Sequence, residues 1–325
     1  MLPVFFSLLL LLLGLAITAC SAAPLAPTRA PTAVADVPSP SPSAALLLTM
    51  TPSPVPTASP SPMPTPSPSP AAIPSATPCA APGRVISGTF ASATTGSDQR
   101  YRLYLPPCYG DDGRRYPSLV LMAGNIHDEG KWDELGLDEA ANAAIVAGEI
   151  PPLLVVMPDG GQVANNTSGG PGSYESVILN ELIPHVEANY CVWAEPAGRA
   201  IGGLSRGGYW ALEIAFRFPE HFVSAGGHSA ALLDQYAGPA VNPQQTALDN
   251  DLGDLRVYLD IGADDYLREN TIRLHRDMEA AGVAHTWHLN EGRHEDPYWA
   301  GQVDDYLRWY AEPWPLDREQ YPPCD

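Results

Sequence analysis

The chain has 325 residues, with 17 Lys and Arg against 37 Asp and Glu, a formal charge of −20. So acidic a chain repels nucleic acid and anionic headgroups, and no nucleic-acid partner is expected. Residues 21–83 hold 18 of the 36 prolines and only two charges, Arg29 and Asp36, so the length reduces to one compact domain at 84–325.

The N-terminus carries an apolar run, Phe5 to Ile17, that ends in Ile17-Thr18-Ala19-Cys20. It resembles a bacterial lipoprotein signal, residues 1–19, cleaved before a lipid-bearing Cys20. The start Met1-Leu2-Pro3 departs from the usual pattern in having no Lys or Arg, and a plain secretory peptide or short membrane anchor is the alternative. Residues 20–83 follow as a Pro/Ser/Thr-rich stalk, too poor in large apolar residues to offset the entropy of ordering it. The expected location is therefore outside the cell, lipid-anchored to the outer face of a bacterial membrane. Four further cysteines, Cys79, Cys108, Cys191 and Cys324, allow three connectivities or free thiols. Pairing Cys79 with Cys108 and Cys191 with Cys324 would staple each end of the domain.

From Arg84 onward short β-rich runs alternate with stretches of helical period. Strands are predicted over 84–88, 101–105, 118–122, 153–157, 199–204, 223–226, 255–261 and 286–290, and helices over 132–147, 174–190, 207–218, 267–281 and 297–310. The first two strands are close enough for an antiparallel hairpin; the others need crossovers and should be parallel. The pattern predicts an α/β fold of the α/β-hydrolase type, a mostly parallel central sheet with helices on both faces.

Gly203-Leu204-Ser205-Arg206-Gly207 has the G-x-S-x-G pattern and stands between a predicted strand and an amphipathic helix. That placement marks a nucleophile elbow, in which glycines permit a turn tight enough to lift the serine oxygen above the sheet edge. A serine hydroxyl needs a base within hydrogen-bond reach and a third group that fixes the base's tautomer. The acid is sought at the end of the strand 255–261, where Asp265 is preferred and Asp264 is the alternative; either could instead cap the following helix. The base is sought after the last strand, where Gly292-Arg293-His294 stands. Donors for the oxyanion are expected from two backbone N–H groups, those of Arg206 and of Asn125 in the loop Ala123-Gly124-Asn125-Ile126. His228, at the end of a strand on the same edge, is expected to line the pocket, and His127 reads as a solvated loop residue. Gln162–Ser173 and Leu233–Asp251 are expected to form pocket walls. No metal or other cofactor is expected: His285 and His288 would point to opposite faces of a strand, and Gly169-Gly170-Pro171-Gly172 lacks the lysine of a phosphate loop.

The segment from Arg102 to Trp309 resembles the putative-esterase, or esterase D-like, family, which includes enterochelin esterases, feruloyl esterases, S-formylglutathione hydrolases and mycolyltransferases. Four stretches carry the likeness: Tyr104-Leu105-Pro106-Pro107; Glu181 to Val186 with Tyr190; Ile201 to Trp210 with Pro219 and Phe222; and Gly292-Arg293-His294 with Trp299. The resemblance implies the same three catalytic positions and a carboxylic ester as substrate. Two departures, Ala123-Gly124 where relatives carry His-Gly and Arg206 where they carry Met or another neutral residue, bear on substrate preference. The expected function is a serine hydrolase acting through an acyl-enzyme on small-molecule or polysaccharide-linked esters, carbohydrate-linked or aromatic. The alternatives are an acyltransferase of the mycolyltransferase type and a non-catalytic surface module.

Overall fold

The computed structural model describes residues 81–324, with the exception of residues 234 and 236. Cys20, the signal segment, nearly all of the stalk and Cys79 lie outside the described residues.

All eight predicted strands are present, as β1 (Arg84–Ser92), β2 (Ser97–Leu105), β3 (Ser118–Met122), β4 (Leu154–Pro158), β5 (Arg199–Leu204), β6 (Ser224–His228), β7 (Arg256–Gly262) and β8 (Thr286–Asn290). They form one sheet in the order β1-β2-β4-β3-β5-β6-β7-β8. β1 and β2 make the antiparallel hairpin, β2 pairs antiparallel with β4, and every other pairing is parallel. β3 and β4 are buried along their whole length, as strands covered on both faces must be. In β4 the pleat sends Leu154 and Val156 to one apolar cluster and Val155 and Met157 to the other.

On one face of the sheet pack α1 (Lys131–Glu134), α2 (Leu137–Val146), α9 (Asp296–Ala300) and α10 (Val303–Ala311). The other face is covered by α3 (Gly161–Asn166), α4 (Tyr174–Val177), α5 (Ile183–Asn189), α6 (Arg206–Arg217), α7 (Pro243–Asp249) and α8 (Arg268–Ala281). The helix expected over 132–147 breaks into α1 and α2 at Gly136, whose φ of 85° no helix accommodates. The one expected over 174–190 is interrupted by a π-turn at Ile178–Leu182, just ahead of Pro184, which has no N–H to continue the ladder. α3 and α7 fall where no helix is predicted. α6 is buried from Arg206 to Phe216, with its polar Arg206 and Glu213 enclosed.

Cys191 is disulfide-bonded to Cys324, with Cα atoms 5.7 Å apart. The bond ties the segment before β5 to the chain's end, where Cys324 N–H also donates to Gly113 O at 2.8 Å. Cys108 is disulfide-bonded as well.

Candidate active site

β5 delivers Ser205 with φ 55° and ψ −118°, a backbone conformation that L residues avoid unless the surroundings impose it. Here the imposition is steric. A Cβ on Gly203 would lie 2.4 Å from the Gly207 carbonyl carbon, and one on Gly207 would lie 2.2 Å from Met122 O. Only glycine fits on either side of the turn. Ser205 N–H donates to His228 O at 2.9 Å, and Ser205 O accepts from Ala231 N–H at 2.9 Å, so the elbow is pinned to the end of β6.

The loops after β7 and β8 are lashed together: Ala263 N–H donates to Asn290 O at 2.7 Å and Asp264 N–H to Gly292 O at 2.9 Å. This brings Asp265 and His294 face to face. His294 Nδ1 donates to Asp265 Oδ2 at 2.9 Å, which leaves Nε2 to accept from the Ser205 hydroxyl at 2.9 Å. Asp265 Oδ1 accepts from Leu267 N–H at 2.8 Å, so the one carboxylate both orients the histidine and closes the turn that leads into α8. Asp265 is buried whereas Asp264 is exposed. A serine hydroxyl bonded to a neutral imidazole held by a buried carboxylate can be deprotonated as it attacks a carbonyl carbon.

The Arg206 N–H is the first of α6, at the positive end of that helix. Asn125 lies in a turn closed by His127 N–H on Gly124 O at 3.1 Å, and its carbonyl is held by Asn165 Nδ2 of α3 at 2.9 Å. Arg206 follows Ser205 directly in the chain, and Asn125 lines the same cleft as Ser205. The Arg206 side chain turns away into the protein: its Nε donates to Ala164 O at 3.1 Å, a second nitrogen bonds Thr167 O, and the guanidinium lies 4.3 Å over the Tyr209 ring. That unusual residue therefore fastens α3 behind the elbow and does not face a substrate.

A cleft of about 430 Å³ opens over Ser205, walled by residues 124–127, Tyr266, residues 294–297 and Trp299. None of the described residues of 162–173 and 233–251, expected as walls, lines it. A larger groove of about 750 Å³ runs between β8 and α10, away from Ser205. His127 is a wall of the cleft and half-buried, not a solvated loop residue. Burial, reinforced by the Lys131 ammonium, holds its imidazole below the ordinary histidine range. Lys131, itself buried, is tied to Asp296 Oδ2 at 2.8 Å and joins α1 to α9 beside the cleft.

His228 is corrected by the structure. It is fully buried and does not reach the cleft: Nδ1 donates to Asp260 Oδ1 at 2.7 Å, and Nε2 accepts from Tyr310 OH at 3.0 Å. Asp260 Oδ2 accepts in addition from Tyr298 OH at 2.6 Å and Tyr306 OH at 2.7 Å. Burial and the adjacent carboxylate push both phenols far above their ordinary range, which keeps them donors. Sequence reasoning missed this second Asp–His pair; its signal was the row of tyrosines at 298, 306 and 310.

The family described as "Putative esterase" matches residues 92–310. An esterase of Mycobacterium tuberculosis is 36% identical over 147 residues, 43% of this chain and 31% of that protein. An endo-1,4-beta-xylanase/feruloyl esterase of Xylanibacter ruminicola is 34% identical over 152 residues, 43% of this chain and 20% of that protein. The chain thus matches less than a third of the length of either relative. Among solved structures, a ferulic acid esterase superposes with a TM-score of 0.65 at 23% identity, covering 72% of this chain and 98% of the other. An S-formylglutathione hydrolase of Staphylococcus aureus gives 0.60 at 19% identity, covering 70% and 99%. These two likenesses establish the α/β-hydrolase fold.

Proposed function

Since the chain belongs to the "Putative esterase" family, we propose that it is a serine carboxylic-ester hydrolase in which Ser205, His294 and Asp265 form the catalytic triad. The observation that carries this reading is the unbroken hydrogen-bond chain from Ser205 Oγ through His294 to Asp265, both links at 2.9 Å, at the floor of the cleft. Ser205 Oγ attacks the acyl carbon while His294 Nε2 takes its proton. The N–H groups of Asn125 and Arg206 receive the oxyanion, where each preorganised donor is worth roughly 10²–10³ in turnover. Collapse breaks the bond to the alcohol, which leaves with the proton from His294. Water then repeats the sequence on the acyl-enzyme and releases the acid, and the serine regains its proton.

The substrates we infer are aromatic, feruloyl-type or carbohydrate-linked esters. This is supported by the relative named as a xylanase/feruloyl esterase and the feruloyl esterase module crystallised with sinapinate, which shares the fold. Ser205→Ala should abolish hydrolysis of methyl ferulate and labelling by a fluorophosphonate probe without moving the thermal transition. Labelling that survives would place the nucleophile elsewhere.

The same reading places the protein outside the cell, anchored through a lipid on Cys20. The apolar run before Cys20 and the Cys191–Cys324 disulfide, a bond that persists in oxidising compartments, both support it. Mass spectrometry of the mature N-terminus should find an acylated cysteine; a soluble product cleaved at another residue would overturn the anchor.

A further inference from the structure

The two oxyanion donors stand on different supports. The Arg206 N–H opens α6 and is fixed by the elbow, whereas Asn125 lies on a loop whose tip, Asn125 and Ile126, is exposed. The base of that loop is held close to the nucleophile: a Cβ built on Gly124 would lie 3.3 Å from Ser205 Cβ, and one on Gly207 would lie 2.6 Å from Ala123 O. Beyond the base, the Asn125 carbonyl accepts from Asn165 Nδ2 at 2.9 Å. That carbonyl and the donor N–H belong to the same residue, so where the oxygen is anchored sets the direction of the N–H.

Asn165 is itself exposed, and a surface side chain can position a loop only if its own backbone is held. α3 is a helix of six residues, too short to be stable by itself. The last carbonyls of a helix have no partner within it, and here α6 supplies the donors. Arg206 Nε and Trp210 Nε1 donate to Ala164 O at 3.1 and 3.0 Å, and a second Arg206 nitrogen donates to Thr167 O. Ala164 and Thr167 bracket Asn165 in the chain, so the Arg206 guanidinium grips α3 on both sides of the residue that holds the loop.

Resting on the hydrolase reading above, we propose that Asn165 is a positioning residue for the oxyanion hole and that the Arg206 side chain acts through it. One residue then governs both donors. The Arg206 backbone N–H is the first; its guanidinium holds α3, from which Asn165 holds the loop that carries the second. The separation of the two N–H groups is thereby set from a single point beside the nucleophile. Such preorganisation matters because a reacting geometry displaced by about 1 Å can cost about 10²-fold in rate. The side chain that follows Ser205 thus serves turnover from behind the elbow.

The test is steady-state hydrolysis of p-nitrophenyl butyrate by the purified protein, beside inhibition by an aryl trifluoromethyl ketone. The ketone carbon bonds to Ser205 Oγ, the serine proton passes to His294, and the carbonyl oxygen becomes an oxyanion between the two donors. Asn165→Ala should lower kcat by roughly threefold to tenfold, the usual worth of one hydrogen bond. Acylation and deacylation both use the hole, so KM should stay nearly unchanged, as should Tm, and the ketone should bind more weakly by the same factor as kcat/KM falls. Arg206→Met, which keeps the backbone N–H, should lower kcat at least as much, and adding Asn165→Ala to it should cost nothing further. An unchanged kcat in Asn165→Ala, a loss confined to KM, or losses that multiply in the double variant would overturn the proposal. The first two outcomes are decided by Asn165→Ala alone, whether or not Arg206→Met folds. Failure of the hydrolase reading would show itself differently, as hydrolysis that survives Ser205→Ala.

Discussion

Replacing Asp265 by Asn tests the orienting role most sharply, because the structure fixes how the amide must sit. Leu267 N–H donates to Oδ1 at 2.8 Å and His294 Nδ1 to Oδ2 at 2.9 Å. In Asp265→Asn the amide oxygen has to stay on the Leu267 side, since the opposite flip would set an NH2 against a backbone N–H and leave a buried donor unpaired, at about 1–3 kcal/mol. The NH2 therefore faces His294 Nδ1 and demands the lone pair there. The imidazole proton moves to Nε2, which then donates toward Ser205 Oγ and cannot accept its proton. Inverting the tautomer in this way lowers kcat by about 10⁴ in serine triads, equivalent to about 5.5 kcal/mol of barrier. The Leu267 N–H bond survives, so the thermal transition should hardly move. Steady-state hydrolysis of a p-nitrophenyl ester at pH 7.5, beside a thermal melt, reads both quantities. A loss of less than tenfold, or a larger loss from Asp264→Asn, would refute the reasoning.

Two further outcomes follow from buried or crowded carboxylates. Asp260→Ala leaves His228, Tyr298 and Tyr306 as buried donors without their acceptor and should reduce unfolding free energy by about 3–5 kcal/mol; an unchanged urea midpoint would show that the network contributes nothing. Asp138 is pushed up to about 6 by burial first, and then by Glu139 and Asp133. Its folded value exceeds the ordinary carboxylate value, so the group favours the folded state below about pH 4, and that contribution is lost as pH rises through 6. Asp138→Asn should accordingly raise Tm at pH 7–8 and leave it nearly unchanged at pH 4, and equal shifts at both pH values would contradict this.

The strands, the elbow and the order Ser205, Asp265, His294 were legible in the sequence because local rules govern them. A β-run alternates with the pleat whatever it packs against, as Leu154 to Met157 do. Gly203 and Gly207 are required by backbone contacts only four residues apart or directly across β3. Other features depend on which distant segment arrives. Asp264 and Asp265 are neighbours with the same side chain, and the β8 loop distinguishes them by engaging the Asp264 backbone and presenting His294 to Asp265. His228 has the position of a pocket residue, yet the register that sets it opposite Asp260 and the arrival of Tyr310 from α10 bury it instead. Arg206 likewise reads as a charge beside the nucleophile until α3 supplies the carbonyls that draw it inward. What the sequence determined by itself was backbone conformation and chain order, since these rest on sterics and periodicity within a few residues. Only the tertiary structure decided which polar side chains face the cleft and which are enclosed, because a buried polar group goes where its partner is, and the partners here lie 29 to 89 residues away.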